Sequence, residues 1–270
     1  FMMSIYQKVL ILHLFKMQQG NRLRHLNMTV LPTSLSDCVI ANTVHKEWLN
    51  NCVEGNIVFP SLNTNGLIFY GNYGCGKTLL ANALPIFIEY EQASTKDRTA
   101  YNFCYDYNGT TISITPNQQH LEKFVINTNF YGCGSLRASD VDALVDSIDK
   151  DMLNQTFVDC FTNQQYQYFI FDEFDTVSSV SQQKLKALLT NTYFNKSIFI
   201  FTTNHFDKVD KGIVSRCMPI SFINAQAELY KPLLTKYVPK VADLDFNKLE
   251  KAIDIHKGDI RKMIRFCETL

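Results

Sequence analysis

Leu67-Ile68-Phe69-Tyr70-Gly71-Asn72-Tyr73-Gly74-Cys75-Gly76-Lys77-Thr78 decides how the rest of the chain is read. An apolar run of strand length stops at a glycine, crosses a Gly-rich loop and enters Leu79-Leu80-Ala81-Asn82-Ala83-Leu84, a good helix former. Gly71, Gly76, Lys77 and Thr78 fit G-x-x-x-x-G-K-[ST], the phosphate-binding loop. Glycines allow the backbone of Gly71, Asn72, Tyr73, Gly74, Cys75 and Gly76 to turn N–H groups inward on a phosphate. The helix N-terminus adds partial positive charge at the same point. Lys77 is then expected to reach the β- and γ-phosphates of ATP, and Thr78 to join the Mg²⁺ shell. A Gly-rich turn carrying a surface lysine is the plainer alternative, and the flanking strand and helix argue against it.

Two further strands, Tyr168-Phe169-Ile170-Phe171 and Ser197-Ile198-Phe199-Ile200-Phe201, are apolar throughout. Such strands belong inside a parallel sheet covered on both faces. The first ends in Asp172-Glu173, at the carboxyl end where open α/β sheets bind ligands. An Asp there can hold Mg²⁺ through water, and a Glu beside it can orient an attacking water. The second ends in Thr202-Thr203-Asn204, where an amide side chain could position that water. His205 reads as a loop residue. Helices are expected over Thr43–Asn50, from Leu79 to an end or kink at Pro85, from a Ser139–Asp140 cap to about Leu153, and over Ser181–Asn191. Phe124-Val125-Ile126-Asn127 reads as a short strand. Within the polar insertion 92–118, Asn108-Gly109 between alternating segments signals a β-hairpin. After Phe222 the pattern is purely helical: Ala225–Tyr237, Phe246–His256 and Asp259–Thr269. The expectation is an α/β, three-layer domain with a parallel sheet, plus a small helical domain.

Composition excludes little. Lys+Arg 26 balances Asp+Glu 26, so any nucleic-acid contact needs a local basic patch. Eight cysteines show neither C-x-x-C pairs nor zinc spacing. Free thiols in a reducing intracellular compartment, cytoplasmic or nucleoid-associated, are the default. Residues 1–36 lack Asp and Glu but carry Lys8, Lys16, Arg22 and Arg24; organelle targeting by residues 1–27 stays open, and the apolar run 9–15 is too short to span a membrane. Since Phe1 opens the chain, the functional start is expected at Met28 or Met17, with 1–27 an extension, 28–222 the nucleotide-binding domain and 223–270 the helical lid.

These motifs together resemble the AAA+ ATPases, and among them the small subunits of sliding-clamp loaders. Leu31-Pro32-x-x-Leu35-x-Asp37-x-Val39-Ile40 is similar to the family's N-terminal box, which implies that Val39 and Ile40 line the adenine pocket. Phe171-Asp172-Glu173-Phe174-Asp175 is similar to the second nucleotide motif of phage-type loaders, and Asn204 falls at the first sensor. Ser215-Arg216-Cys217 resembles the motif that lends an arginine finger to a neighbouring subunit. Gly258-Asp259-Ile260-Arg261 resembles the second sensor, which implies that Arg261 touches the γ-phosphate. Gln182-x-x-Leu185-Lys186 sits where loaders face DNA, and Lys184 and Lys186 are the residues expected on phosphates. The resemblance implies AAA+ partner subunits, primer–template DNA and a sliding clamp. Loaders also carry a third, collar domain, which does not follow the second sensor here; a fragment, a divergent loader or another AAA+ machine is expected. A viral superfamily-three helicase is the alternative, since it too places Thr-x-Asn at a strand end, though without the Leu-Pro box or the lid.

Overall fold

The computed structural model describes residues 32, 34–61, 63–93, 101–107, 111–116, 124–135, 140–141, 143–148, 165–190, 196–223, 225–243, 245–256 and 258–269. They belong to one compact unit, Leu31–Leu270. The expected extension 1–27, the Asn108-Gly109 turn, the Ser139 cap and the end of its helix lie outside the described residues; Asp140, Val141 and residues 143–148 are helical.

In chain order the elements are α1 (Thr43–Val53), β1 (Gly66–Tyr70), α2 (Lys77–Gln92), β2 (Tyr101–Tyr107), β3 (Thr111–Pro116), β4 (Phe124–Gly132), β5 (Gln167–Asp172), α3 (Ser179–Thr190), β6 (Ser197–Thr203), α4 (Lys211–Val214), β7 (Cys217–Ser221), α5 (Ala227–Tyr237), α6 (Phe246–His256) and α7 (Ile260–Thr269). The strands form one sheet in the order β2-β3-β4-β5-β6-β1-β7. The five from β4 to β7 pair in parallel, whereas β2–β3 and β3–β4 are antiparallel. The expected hairpin is therefore β2–β3, and it extends the sheet through β4 instead of standing apart. For the same reason β4 is longer than the expected four residues: its first half pairs with β3 and its second half with β5.

Two apolar layers confirm why β1, β5 and β6 are continuously hydrophobic. Leu67, Phe69, Ile170, Ile198 and Ile200 face α1 and α2. Ile68, Phe169, Phe171, Phe199 and Phe201 face α3, α4 and Val141 and Ile148 on the other side. Successive residues of a strand point to opposite faces, so both alternates must be apolar when both faces are covered. Burial also overrides Pro85, the expected end or kink of α2. The helix runs through it to Gln92, because Leu80, Leu84, Ile88 and their neighbours are sealed against the sheet, which outweighs one missing backbone hydrogen bond. Near its end Glu89, 1% exposed, accepts the N–H groups of Gln165 and Tyr166 and the Tyr168 hydroxyl at 2.8–2.9 Å. It anchors the entry to β5.

The last three helices share a separate apolar cluster built on Tyr230, Leu234, Leu249, Met263 and Cys267, which also takes in Val39. Among the described residues no helix is long and apolar enough to cross a membrane.

Candidate nucleotide-binding site

Because β6 lies between β1 and β5, three chain segments distant in sequence end side by side. The loop Gly71–Gly76 leaves β1, Asp172 closes β5, and Asn204 follows β6. Gly74 and Gly76 adopt φ of 74° and 96°, a left-handed backbone that glycine enters without a Cβ penalty. Gly76 is thereby the cap of α2.

Lys77 is 6% exposed, and its ammonium is satisfied inside the loop. Nζ donates to Gly71 O at 2.9 Å, Asn72 O at 2.6 Å and Asn204 Oδ1 at 2.9 Å. The Cys75 thiol lies 3.5 Å away and donates to Asn72 O; burial pushes it up, with the Lys77 charge opposing. Tyr73, by contrast, is 60% exposed at the tip of the loop.

Thr78 Oγ1 donates to Asp172 Oδ1 at 2.7 Å, and Thr202 Oγ1 donates to the same oxygen at 2.6 Å. Thr202 Oγ1 also accepts the Glu173 backbone N–H at 3.1 Å. One hydroxyl on the middle strand therefore holds both acidic residues. Glu173 is exposed and stands at φ 56°, ψ 45°, the one non-glycine residue with positive φ among those described. That conformation is disfavoured for a side chain and recurs at functional sites. A side chain at Gly134 would begin 2.8 Å from Glu173 Oε2, so the turn after β4 leaves clearance for the carboxylate. Burial, reinforced by Asp172, Glu173 and Asp175, pushes the neighbouring Cys133 thiol well up.

The C-terminal helical cluster reaches this site at the start of α7. Ile260 N–H donates to Gly74 O at 3.0 Å, and the Asp259 carboxylate, 8% exposed, lies against the Gly74 backbone while accepting Lys262 N–H at 3.2 Å. Arg261 is exposed; the residues of its motif that meet the loop are Asp259 and Ile260. Val39 packs with the C-terminal helices and Ile40 with the α/β core, which sets that pair at the junction of the two clusters.

Arg216 is elsewhere. It immediately precedes β7, whose first residue Cys217 pairs with Gly66 at the start of β1. Five strand residues, about 16 Å, separate that level from the phosphate loop. Its guanidinium donates to Gly212 O at 2.8 Å. On α3, Leu185 is buried and Lys184 exposed, while Lys186 is half-buried and ion-paired with Asp210 at 3.6 Å. Gln182 points inward at 2% exposure. It donates to Val177 O and Lys208 O and accepts Asp210 N–H, bracing the segment after Glu173 against the loop after Asn204.

Sequence reasoning missed Thr202 and left Asp175 without a role. Asp175 Oδ1 accepts Thr203 Oγ1 at 2.9 Å and Asn204 N–H at 3.1 Å. Their partners lie about thirty residues away on another strand, and only the acidic repeat in Asp172-Glu173-Phe174-Asp175 hinted at them.

The donor set fits a magnesium nucleoside triphosphate. Thr78 and Asp172 bring two hard oxygens together, hydrogen-bonded at 2.7 Å, the ligand type that Mg²⁺ shares with substrate phosphates. A Gly-rich loop and a buried ammonium flank them.

No protein-family profile matches the chain, and no curated protein does. Among solved structures it is similar to variants of RuvB from Thermotoga maritima. One aligns with TM-score 0.55 and 13% identity over 88% of this chain and 64% of the RuvB chain. Another aligns with TM-score 0.53 and 13% identity over 89% and 65%. The chain thus spans slightly less than two thirds of those RuvB chains. With its parallel five-strand core and flanking helices, it has the fold of the AAA+ ATPases.

Proposed function

We propose that this chain is an ATP hydrolase of the clamp-loader type, one subunit of an AAA+ assembly that couples ATP binding and hydrolysis to engagement of primer–template DNA. The observation that carries the reading is the convergence of Lys77 with Asn204 and of Thr78 with Asp172 across three adjacent strand ends. The loop N–H groups and Lys77 bind and orient the phosphates; Thr78 and Asp172 would hold Mg²⁺, which would supply neutralisation of phosphate charge. Glu173 orients the attacking water and accepts its proton, and Asn204 fixes the γ-phosphate side of the site. Val39 and Ile40 border the adenine, and Arg261 approaches the phosphates from the lid.

Arg216 lies too far from its own loop to serve it, which favours service to a neighbour's site as a finger in trans. Lys184 and Lys186 would contact DNA phosphates, the latter by exchanging its Asp210 partner. The test is ATP turnover with and without recessed primer–template. Stimulation by DNA, lost together with turnover in Lys77→Ala, supports the loader reading. Processive unwinding of a forked duplex without any clamp would replace it with the helicase alternative.

A further inference from the structure

We propose that Asp175 is a positioning residue for hydrolysis, holding Asn204 in the register that turns its amide oxygen onto Lys77. The inference deepens the ATPase reading and rests on it.

β6 ends at Thr203, so the N–H of Asn204 is the first beyond the strand. Asp175 supplies its acceptor, Oδ1, at 3.1 Å. The same oxygen takes the Thr203 hydroxyl at 2.9 Å. Thr203 is fully buried and its oxygen in turn accepts His205 N–H at 3.0 Å. Residues 203, 204 and 205 are therefore tied to one carboxylate, directly or through one hydroxyl. That carboxylate is itself fixed. Asp175 sits in the short turn Phe174–Thr176, and the Phe174 ring is buried against Phe201 at 4.7 Å and Phe171 at 6.2 Å. Downstream, Asn204 Oδ1 meets Lys77 Nζ at 2.9 Å. The route from Asp175 to the phosphate-binding lysine thus passes through a single residue. A carboxylate that merely closed a surface turn would not satisfy a backbone donor just past the end of the neighbouring strand.

Acting through Asn204 has a signature that a purely structural role lacks. In Asp175→Ala, amide exchange at Asn204 should accelerate at least about tenfold as its acceptor is lost. The kcat for ATP should fall about tenfold to a hundredfold, the scale of a displaced catalytic group, while affinity for a fluorescent ATP analogue stays within about twofold. Adding Asp175→Ala to Asn204→Ala should lower kcat no further than Asn204→Ala alone. Asp175→Asn, which keeps an accepting oxygen, should restore part of both the exchange protection and the rate. Unchanged exchange at Asn204, or kcat losses that multiply in the double variant, would overturn the proposal. If the unmodified chain does not hydrolyse ATP, the hydrolase reading fails, and the exchange measurement still decides whether Asp175 holds Asn204.

Discussion

Gly74→Ala should uncouple the lid from the phosphate loop, and its cost can be worked from the contacts at that glycine. At φ 74° an alanine costs about 1–2 kcal/mol through its Cβ alone. That Cβ would also overlap the Asp259 carboxylate, which has to swing away. Swinging away breaks its bond to Lys262 N–H, a helix cap whose loss costs about 1 kcal/mol. The total is about 2–3 kcal/mol, or a fall of about 5–10 °C in melting temperature for a unit of this size. Asp259→Ala should cost the cap and an exposed ion pair with Lys262 Nζ at 3.4 Å, together about 1 kcal/mol. The double variant loses the cap once, so it should be less destabilised than the sum of the singles by about 1 kcal/mol. Urea unfolding followed by far-ultraviolet circular dichroism measures all three. Strict additivity, or a Gly74→Ala cost below about 0.5 kcal/mol, would refute the packing argument.

Lys77→Ala should abolish ATP binding, whereas Glu173→Gln should keep binding and lose turnover, both measured by analogue titration alongside phosphate release; parent-rate hydrolysis by the glutamine variant would remove Glu173 from the chemistry. Mixing Arg216→Ala subunits with Lys77→Ala subunits should partly restore hydrolysis where an intact finger meets an intact loop, and no recovery in a verified mixed oligomer would sink the trans assignment. Replacing Lys184 and Lys186 by alanine should lower the salt slope of DNA binding by about 2, one per phosphate contact, with ATP turnover in the absence of DNA retained. Glu89→Leu should cost about 1–3 kcal/mol, chiefly by taking the acceptor from the buried Tyr168 hydroxyl, read as a lowered urea midpoint; a neutral outcome would mean that the entry to β5 relaxes to water.

The parts of this molecule that could be read in advance are those whose determinants are contiguous. The phosphate loop announces itself because its glycines, lysine and threonine occupy fixed neighbouring positions. The lid helices Phe246–His256 and Ala227–Tyr237 follow apolar periodicity, and the observed bounds differ from the expected ones by at most two residues. What escaped is non-local. Whether the hairpin 101–116 stands alone or joins the sheet depends on the pairing of β3 with Val125–Asn127, which no local pattern encodes. Pro85 reads as a helix end or kink by propensity alone, which takes no account of the burial that overrides it. Thr202, Asp175 and Gln182 gain their meaning from partners on other elements, and Lys186 looked like a free cation until α4 brought Asp210 to it.

The left-handed backbone of Glu173 has a consequence for how this chain would drift under selection. Replacing Glu173 with Asn or Gly, residues at ease with positive φ, relieves about 1 kcal/mol while deleting the carboxylate proposed to orient the attacking water. Variants chosen only for survival at high temperature should therefore accumulate at position 173 and emerge sturdier but inert. On the role proposed for Glu173, robustness and turnover are set against each other at a single residue, and a screen that rewards one without assaying the other will discard the activity first.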